Sequence, residues 1–262
     1  MVKKVLSIAG SDCSGGAGIQ ADIKTITAHK MYAMSVVTAL TAQNTTGVYG
    51  VVDTEPEFVA NQIDCVFKDI VPDAVKIGMV SNSAIIEIIA AKLKEYNAKN
   101  IVIDPVMVST SGHQLISEEA KDVLVKQLLP LAAVITPNIA EAEMLCGFDI
   151  KNENDMIRAA EYIETTSNVP VLVKGGHLIT HDAIDLLYSH PEKLDWYRMP
   201  KVDNENTHGT GCTLSAAIAC NLAAGEALDV AVKHAKEYLT KVLKAQLNLG
   251  EGRGPLNHAY LL

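Results

Sequence analysis

Nothing in the 262-residue chain approaches the ~18 consecutive apolar residues that a membrane-crossing helix needs. The apolar run near its start, Val5–Ala9, is too short for the core of a secretory leader, so export is not expected. The five cysteines (Cys13, Cys65, Cys146, Cys212 and Cys220) are odd in number and never spaced Cys-x-x-Cys. That argues against a disulfide scaffold and a structural zinc site, and it points to a reducing, cytoplasmic setting. Aromatic residues make up only 5% of the chain against 48% hydrophobic residues, so the core must be built mainly from Ala, Val, Ile and Leu. Positive charge is also short: 22 Lys and Arg face 31 Asp and Glu, for a net charge of −9. General nucleic-acid binding and attachment to an anionic membrane are therefore disfavoured. A polyphosphate would have to be held by local dipoles, a metal and a few cations.

What is present is a regular alternation of buried strands and amphipathic helices. Val5–Ala9, Met34–Thr41, Ala74–Ile77, Ile101–Ile103, Val134–Thr136, Val171–Lys174 and Ala183–Tyr188 read as strands. Helices are expected over Ile19–His29, Glu57–Asp69, Asn82–Tyr96, Ser117–Leu129, about 138–146 and 152–167, with two long ones starting at Gly211 and Ala227. The segment Thr45–Thr54 reads as an antiparallel pair or flap beside the sheet. Such alternation implies right-handed crossovers and a three-layer α/β/α fold around a mostly parallel sheet, in one domain spanning 1–262. Ligands in such folds gather beyond the carboxyl ends of the strands. Polar or glycine-rich signals fall there repeatedly: Gly10-Ser11-Asp12, Thr41-Ala42-Gln43, Gly78-Met79, Asp104-Pro105, Pro137-Asn138 and Gly175-Gly176.

The densest signal is Asn206-Thr207-His208-Gly209-Thr210-Gly211-Cys212 at the head of an apolar helix. A helix start offers free N–H groups and a positive dipole end to an anion, and glycines let the ligand approach the backbone. Cys212 falls in the first turn, where the helix field favours a thiolate. His208 reads by default as an exposed loop histidine. Glu141 has two readings: the partner of Asn138 in a capping box, or a Mg²⁺ ligand together with Asp104, which otherwise serves as a turn residue. Lys174 is either a solvated strand-end lysine or a counter-charge for a transferring phosphoryl group. Gln43 is either polar surface or the planar amide that pairs with an aminopyrimidine edge. Gly10-Ser11-Asp12 opens a loop that lacks the Gly-Lys-Ser/Thr of a P-loop.

Taken together, Ile8–Asp22, Thr38–Thr45, Lys76-Ile77-Gly78-Met79, Asp104-Pro105-Val106-Met107, Ile135–Asn138, Val173-Lys174-Gly175-Gly176-His177 and His208–Ala217 resemble the ribokinase-like superfamily. Within it the chain is most similar to the hydroxymethylpyrimidine/phosphomethylpyrimidine kinases of thiamin biosynthesis. The resemblance implies a homodimeric, ATP- and Mg²⁺-dependent enzyme. Such an enzyme phosphorylates 4-amino-5-hydroxymethyl-2-methylpyrimidine and then the resulting monophosphate. It implies Cys212 as base, where much of the superfamily has aspartate, with Gly209 and Gly211 as the anion hole. Lys174, Asn138, Thr210 and Gly211 would contact ATP, and Asp104 and Glu141 the metal. Gln43, Gly10, Asp12, Met79 and Val106 would hold the pyrimidine. A pyridoxal kinase of the same fold is the nearest rival reading. A vitamin-precursor binding protein without catalysis is a reading from another class.

Overall fold

The computed structural model describes residues 1–107, 116–176, 182–189 and 193–260; His177, the last residue of one motif above, lies outside them. β1 (Lys4–Asp12), β2 (Tyr32–Asn44), β3 (Gly47–Asp53), β4 (Ala74–Ile77), β5 (Ile101–Ile103), β6 (Val134–Ile135), β7 (Val171–Lys174), β8 (Asp182–Ser189) and β9 (Lys193–Pro200) form one sheet. Its order is β3-β2-β1-β4-β5-β6-β7-β8-β9. The strands from β2 through β7 run parallel, and β3, β8 and β9 add antiparallel margins. The chain's direction of travel across the sheet reverses between β1 and β4, the kind of switch point where a crevice opens at the strand ends.

Side-chain alternation along the strands builds two apolar layers. On one face Leu6, Ile8, Val75, Ile77, Ile101 and Ile103 pack under α2 (Pro56–Asp69), α3 (Ser83–Glu95), α4 (Glu118–Val123), α5 (Ile139–Cys146) and α6 (Glu153–Ser167). On the other, Val5, Ala74, Val102, Val134 and Leu172 pack under α1 (Gly18–Ala28), α7 (Thr210–Ala224) and α8 (Leu228–Lys244). These layers are aliphatic, as the shortage of aromatics requires. α7 is buried along nearly its whole length, which explains a helix rich in Ala and free of charged residues.

Two expectations are corrected. The helix over Ser117–Leu129 is regular only from Glu118 to Val123; it widens to a π turn over Leu124–Leu128 and closes with a 3₁₀ turn over Leu129–Leu131. Pro130 has no N–H to continue the ladder, and the wide turn keeps Leu124 and Leu128 in the core. Strand β9 was not foreseen. Its residues mix charge and apolarity on both faces because it is an edge strand, anchored by pairing to β8 along its whole length.

Candidate active site

A cavity of 1230 Å³ opens at the carboxyl ends of the strands, and every site residue inferred from the sequence lines it. Gly10 and Asp12 come from the end of β1, Gln43 from β2, Met79 from the residues after β4, and Asp104 and Val106 from those after β5. Asn138 and Glu141 come from the start of α5 and Lys174 from the end of β7, while Gly209, Thr210, Gly211 and Cys212 open α7. Val106 stands at φ +42°, a costly backbone angle for a β-branched residue.

The cavity floor is a polar cluster. Lys174 Nζ donates to Asp104 Oδ1 at 2.6 Å, and the Thr136 hydroxyl donates to the same oxygen at 3.2 Å. Burial opposes the charge on Lys174, but the neighbouring Asp104 and Glu141 carboxylates outweigh it and raise its pKa. Glu141 completes the capping box: the Asn138 N–H donates to Glu141 Oε2 at 2.8 Å, and the Glu141 N–H donates to Asn138 Oδ1 at 2.9 Å. Burial pushes the Glu141 carboxyl up to about 7, with Lys174 pulling it down and Asp104 pushing it further up. Two crowded carboxylates beside a lysine suit a cation that keeps most of its own waters and bridges to phosphates. No cluster of three or more His, Cys, Asp or Glu side chains suited to a metal occurs among the described residues. A Mg²⁺ held by Asp104 and Glu141 would therefore take its remaining ligands from water and substrate.

No side chain caps α7, which leaves its first amides without a side-chain acceptor. Gly209 precedes the helix at φ +86°, and a β-carbon there would overlap the Gly16 carbonyl. The α7 loop and the loop after β1 are thus pressed together. Gly211 lies so near the polar floor that a β-carbon would sit 3.2 Å from both Asp104 Oδ2 and Lys174 Nζ. The start of α7 and the Lys174–Asp104 pair consequently face the same space.

The two loops are joined by a side chain that sequence reasoning assigned to solvent. His208 is only 14% exposed, and its Nε2–H donates to Asp12 Oδ2 at 2.9 Å. The same carboxylate accepts from the Gly16 and Ala17 amides through Oδ2 and from the Ser14 amide and hydroxyl through Oδ1. Burial alone would raise the Asp12 pKa; the hydrogen bonds from His208, Ser14 and Ala17 more than offset it and hold the carboxyl far below its ordinary range. The Gln43 amide lies 3.4 Å from His208 Nε2, and the Met79 methyl group closes on Gly10.

Cys212 differs from expectation in one respect. Burial pushes its thiol up to about 11, against the pull of the Lys76 ammonium, with Asp22 and Asp104 pushing further up. The thiol form therefore dominates at neutral pH, because desolvation outweighs the favourable field of the helix start. Several cavity residues carried no sequence signal. Ala183, Met199, Val202, Leu239 and Leu243 form an apolar end beyond the lysine, and Glu251–Arg253 come from a segment whose Gly252 amide donates to Thr45 Oγ1 at 3.2 Å. Among the described residues Arg253 has no ion-pair or hydrogen-bond partner. Only its composition, a lone arginine among glycines, marked that segment.

A family model described as phosphomethylpyrimidine kinase matches residues 12–257. A hydroxymethylpyrimidine/phosphomethylpyrimidine kinase of Rhizobium meliloti is 49% identical over 263 residues, covering 98% of this chain and 97% of that one. A thiamine biosynthesis bifunctional protein of Geobacter sulfurreducens is 48% identical over 97% of this chain, which spans about half of that longer protein, 52%. Among solved structures, the phosphomethylpyrimidine kinase of Clostridium difficile 630 superposes with a TM-score of 0.81 at 48% identity, covering 91% of this chain and 98% of that one. The ADP complex of Bacillus subtilis pyridoxal kinase superposes with a TM-score of 0.93 at 38% identity, covering 100% and 99%.

Proposed function

The chain belongs to the phosphomethylpyrimidine kinase family, and from that premise we propose how its cavity carries out the reaction. It is a kinase that phosphorylates hydroxymethylpyrimidine and then the monophosphate, the activity for which its Rhizobium meliloti and Streptomyces coelicolor relatives are named, and the ADP bound to the pyridoxal kinase neighbour supports ATP as the donor. The observation that carries the residue-level reading is the meeting of the α7 start, the Lys174–Asp104 pair and Cys212 in one cavity.

ATP lies with its base toward the apolar end formed by Met199, Val202, Leu239 and Leu243 and its phosphates toward Asn138, Thr210 and Gly211. The pyrimidine lies toward Gln43, Gly10, Asp12, Met79 and Val106, with Gln43 offering both a donor and an acceptor. The hydroxymethyl oxygen attacks the γ-phosphorus, the bond to the bridging oxygen breaks, and ADP leaves. The hydroxyl proton passes to the Cys212 sulfur, which must be in its thiolate form to take it. The α7 amides and Lys174 receive the charge that develops on the transferring group. Mg²⁺, held by Asp104 and Glu141, would neutralise phosphate charge when bound.

In the second reaction the acceptor is a phosphate oxygen, already ionised near neutral pH and carrying no proton for a base to take. Arg253 lines the cavity without an ion-pair partner among the described residues and is suited to meet that extra charge. The exposed apolar residues Leu40, Tyr49, Val51 and Val52 on β2 and β3 support a homodimer through this margin. We read the chain as one catalytic unit of the reducing cytoplasm, with its five cysteines free. No described helix is long and apolar enough to cross a membrane. The test is product identification with MgATP and, in turn, hydroxymethylpyrimidine, its monophosphate and pyridoxal. Conversion of the first two to mono- and diphosphate is expected; turnover of pyridoxal alone would overturn the assignment.

A further inference from the structure

β4 carries a lysine where a buried strand ordinarily carries an aliphatic residue. Lys76 is fully buried, and its Nζ donates to Asp22 Oδ2 at 2.9 Å. The Ser7 hydroxyl donates to the same oxygen at 2.6 Å, and Ser7 and Lys76 are register partners on β1 and β4. Asp22 Oδ1 is buried with no hydrogen-bond partner among the described residues. A buried ion pair is costly to desolvate, and apolar side chains of the same volume are often as stable or more so, so packing does not account for this one. The reaction described above makes no use of it either.

Its placement points to the site. The Ser7–Lys76 face of the sheet is the one covered by α1 and α7. The lysine reaches toward the carboxyl end of β4: a β-carbon on Gly78 would lie 2.7 Å from Lys76 Nζ and 3.0 Å from Ala9 Cβ. The motif Lys76-Ile77-Gly78 thus leaves room for the ammonium on the face of the sheet that α1 and α7 cover. The groups acting on the Cys212 sulfur are Lys76 from β4, Asp22 and the Gly18 amide from α1, and Asp104 from the residues after β5. Lys76 is the largest influence in favour of the anionic form. Lys174 also senses Cys212, but its ammonium is engaged by Asp104 at 2.6 Å.

We propose that Lys76, fixed by Asp22 and Ser7, is the positioning residue of Cys212, a counter-charge behind the sulfur that keeps the anionic form within reach of the substrate hydroxyl. Lys76 keeps its own proton throughout; the proton that moves goes from the hydroxyl to sulfur. The inference rests on Cys212 being the base, and the two are tested separately.

The experiment follows alkylation of Cys212 by iodoacetamide against pH, read by mass spectrometry of the peptide that contains it, with kcat and KM for hydroxymethylpyrimidine measured in parallel. In the double variant Lys76→Met/Asp22→Asn the charges leave together, so no lone ion is buried. Asp22 opposes the thiolate and leaves with the lysine, so only the excess of the Lys76 influence is lost; the alkylation curve is expected to move upward in pH by about half a unit, about threefold less thiolate at a given pH. The kcat should fall about threefold, with KM unchanged within about 1.5-fold, as for an interaction that acts on the chemical step alone. Gly78→Ala displaces the ammonium without removing it and should shift the curve in the same direction, by about threefold in thiolate. A folded double variant with an unmoved curve and unchanged kcat overturns the inference. Should the double variant not fold, an unmoved curve in Gly78→Ala does so. If Cys212→Ala retains turnover, the base assignment itself fails. If that variant is inactive while the alkylation curves stay fixed, only the role of Lys76 falls.

Discussion

Asp12→Asn replaces one atom and should loosen the junction between two loops. The carboxylate accepts the Ser14 amide at 2.8 Å and hydroxyl at 2.7 Å on one oxygen. On the other it accepts Gly16 at 3.0 Å, Ala17 at 2.8 Å and His208 at 2.9 Å. An asparagine has one acceptor oxygen. Placed to keep the last three donors, its NH₂ faces the Ser14 amide; the Ser14 hydroxyl can turn and accept, but the amide cannot. One orphaned N–H costs about 1–3 kcal/mol. The three remaining bonds lose their charge assistance, about another 0.5–1 kcal/mol each. A loss of about 3 kcal/mol or more is expected in urea unfolding, with KM for the pyrimidine raised because His208 and the Gly209 turn are no longer held. The folded-state pKa of Asp12 is depressed, so its contribution is fully present above the unfolded carboxylate value of ~3.9 and is lost only as pH falls through the folded value. The gap between wild type and variant should therefore stay constant from neutral pH down to about 4, and close only in stronger acid. A variant within about 1 kcal/mol of wild type, or a gap that closes between pH 7 and 5, would refute the hydrogen-bond account.

Four further outcomes are expected. Cys212→Ala should lose most turnover with the alcohol while still binding it, yet spare the second phosphorylation, whose acceptor has no proton to give; equal loss in both steps would remove Cys212 from the base role. With its thiol near 11 in the free site, wild-type turnover of the alcohol in single-turnover assays should climb about tenfold per pH unit between 7 and 9, while the monophosphate reaction stays flat. Lys174→Met deletes the counter-charge and leaves Asp104 buried and unpaired, so kcat should fall about 10²-fold with a lowered melting temperature; a kcat within about threefold of wild type would exclude a transition-state role. Val52→Asp on the exposed face of β3 should give a folded, monomeric species in sedimentation velocity, and an unchanged mass there would rule out that margin as the dimer contact.

The sequence was most legible where periodicity and burial coincide. Ala74–Ile77, Ile101–Ile103 and Val171–Lys174 have the very boundaries their apolar runs announce, because each is a central strand covered on both faces. β9 escaped because an edge strand need not alternate cleanly; Trp196 and Tyr197, adjacent in sequence, pack into opposite layers. The inferred residues that line the cavity stood out as strand-end signals, but their mutual contacts did not. Nothing near His208 in sequence shows that Asp12, nearly two hundred residues away, supplies its partner. Nor does a first-turn cysteine reveal how dry its surroundings are, and dryness decides its protonation. Lys76 was visible as a lysine inside an apolar strand. Its meaning depended on Asp22 and on the side chain that Gly78 lacks.

The two margins of the sheet are chemically unlike. β3 ends it with Val48, Tyr49, Val51 and Val52, and no charge before Asp53. β9 ends it with Lys193 bound to Asp195 and Asp229, and with Arg198 clasping Glu153. An edge rich in fixed charge resists addition of another strand, whereas an apolar one invites it. Were two copies to join as proposed, through the β3 margin, each would cover the other's apolar edge and leave only charged β9 edges outward. The strand order would then close association at a pair rather than feed a growing ribbon.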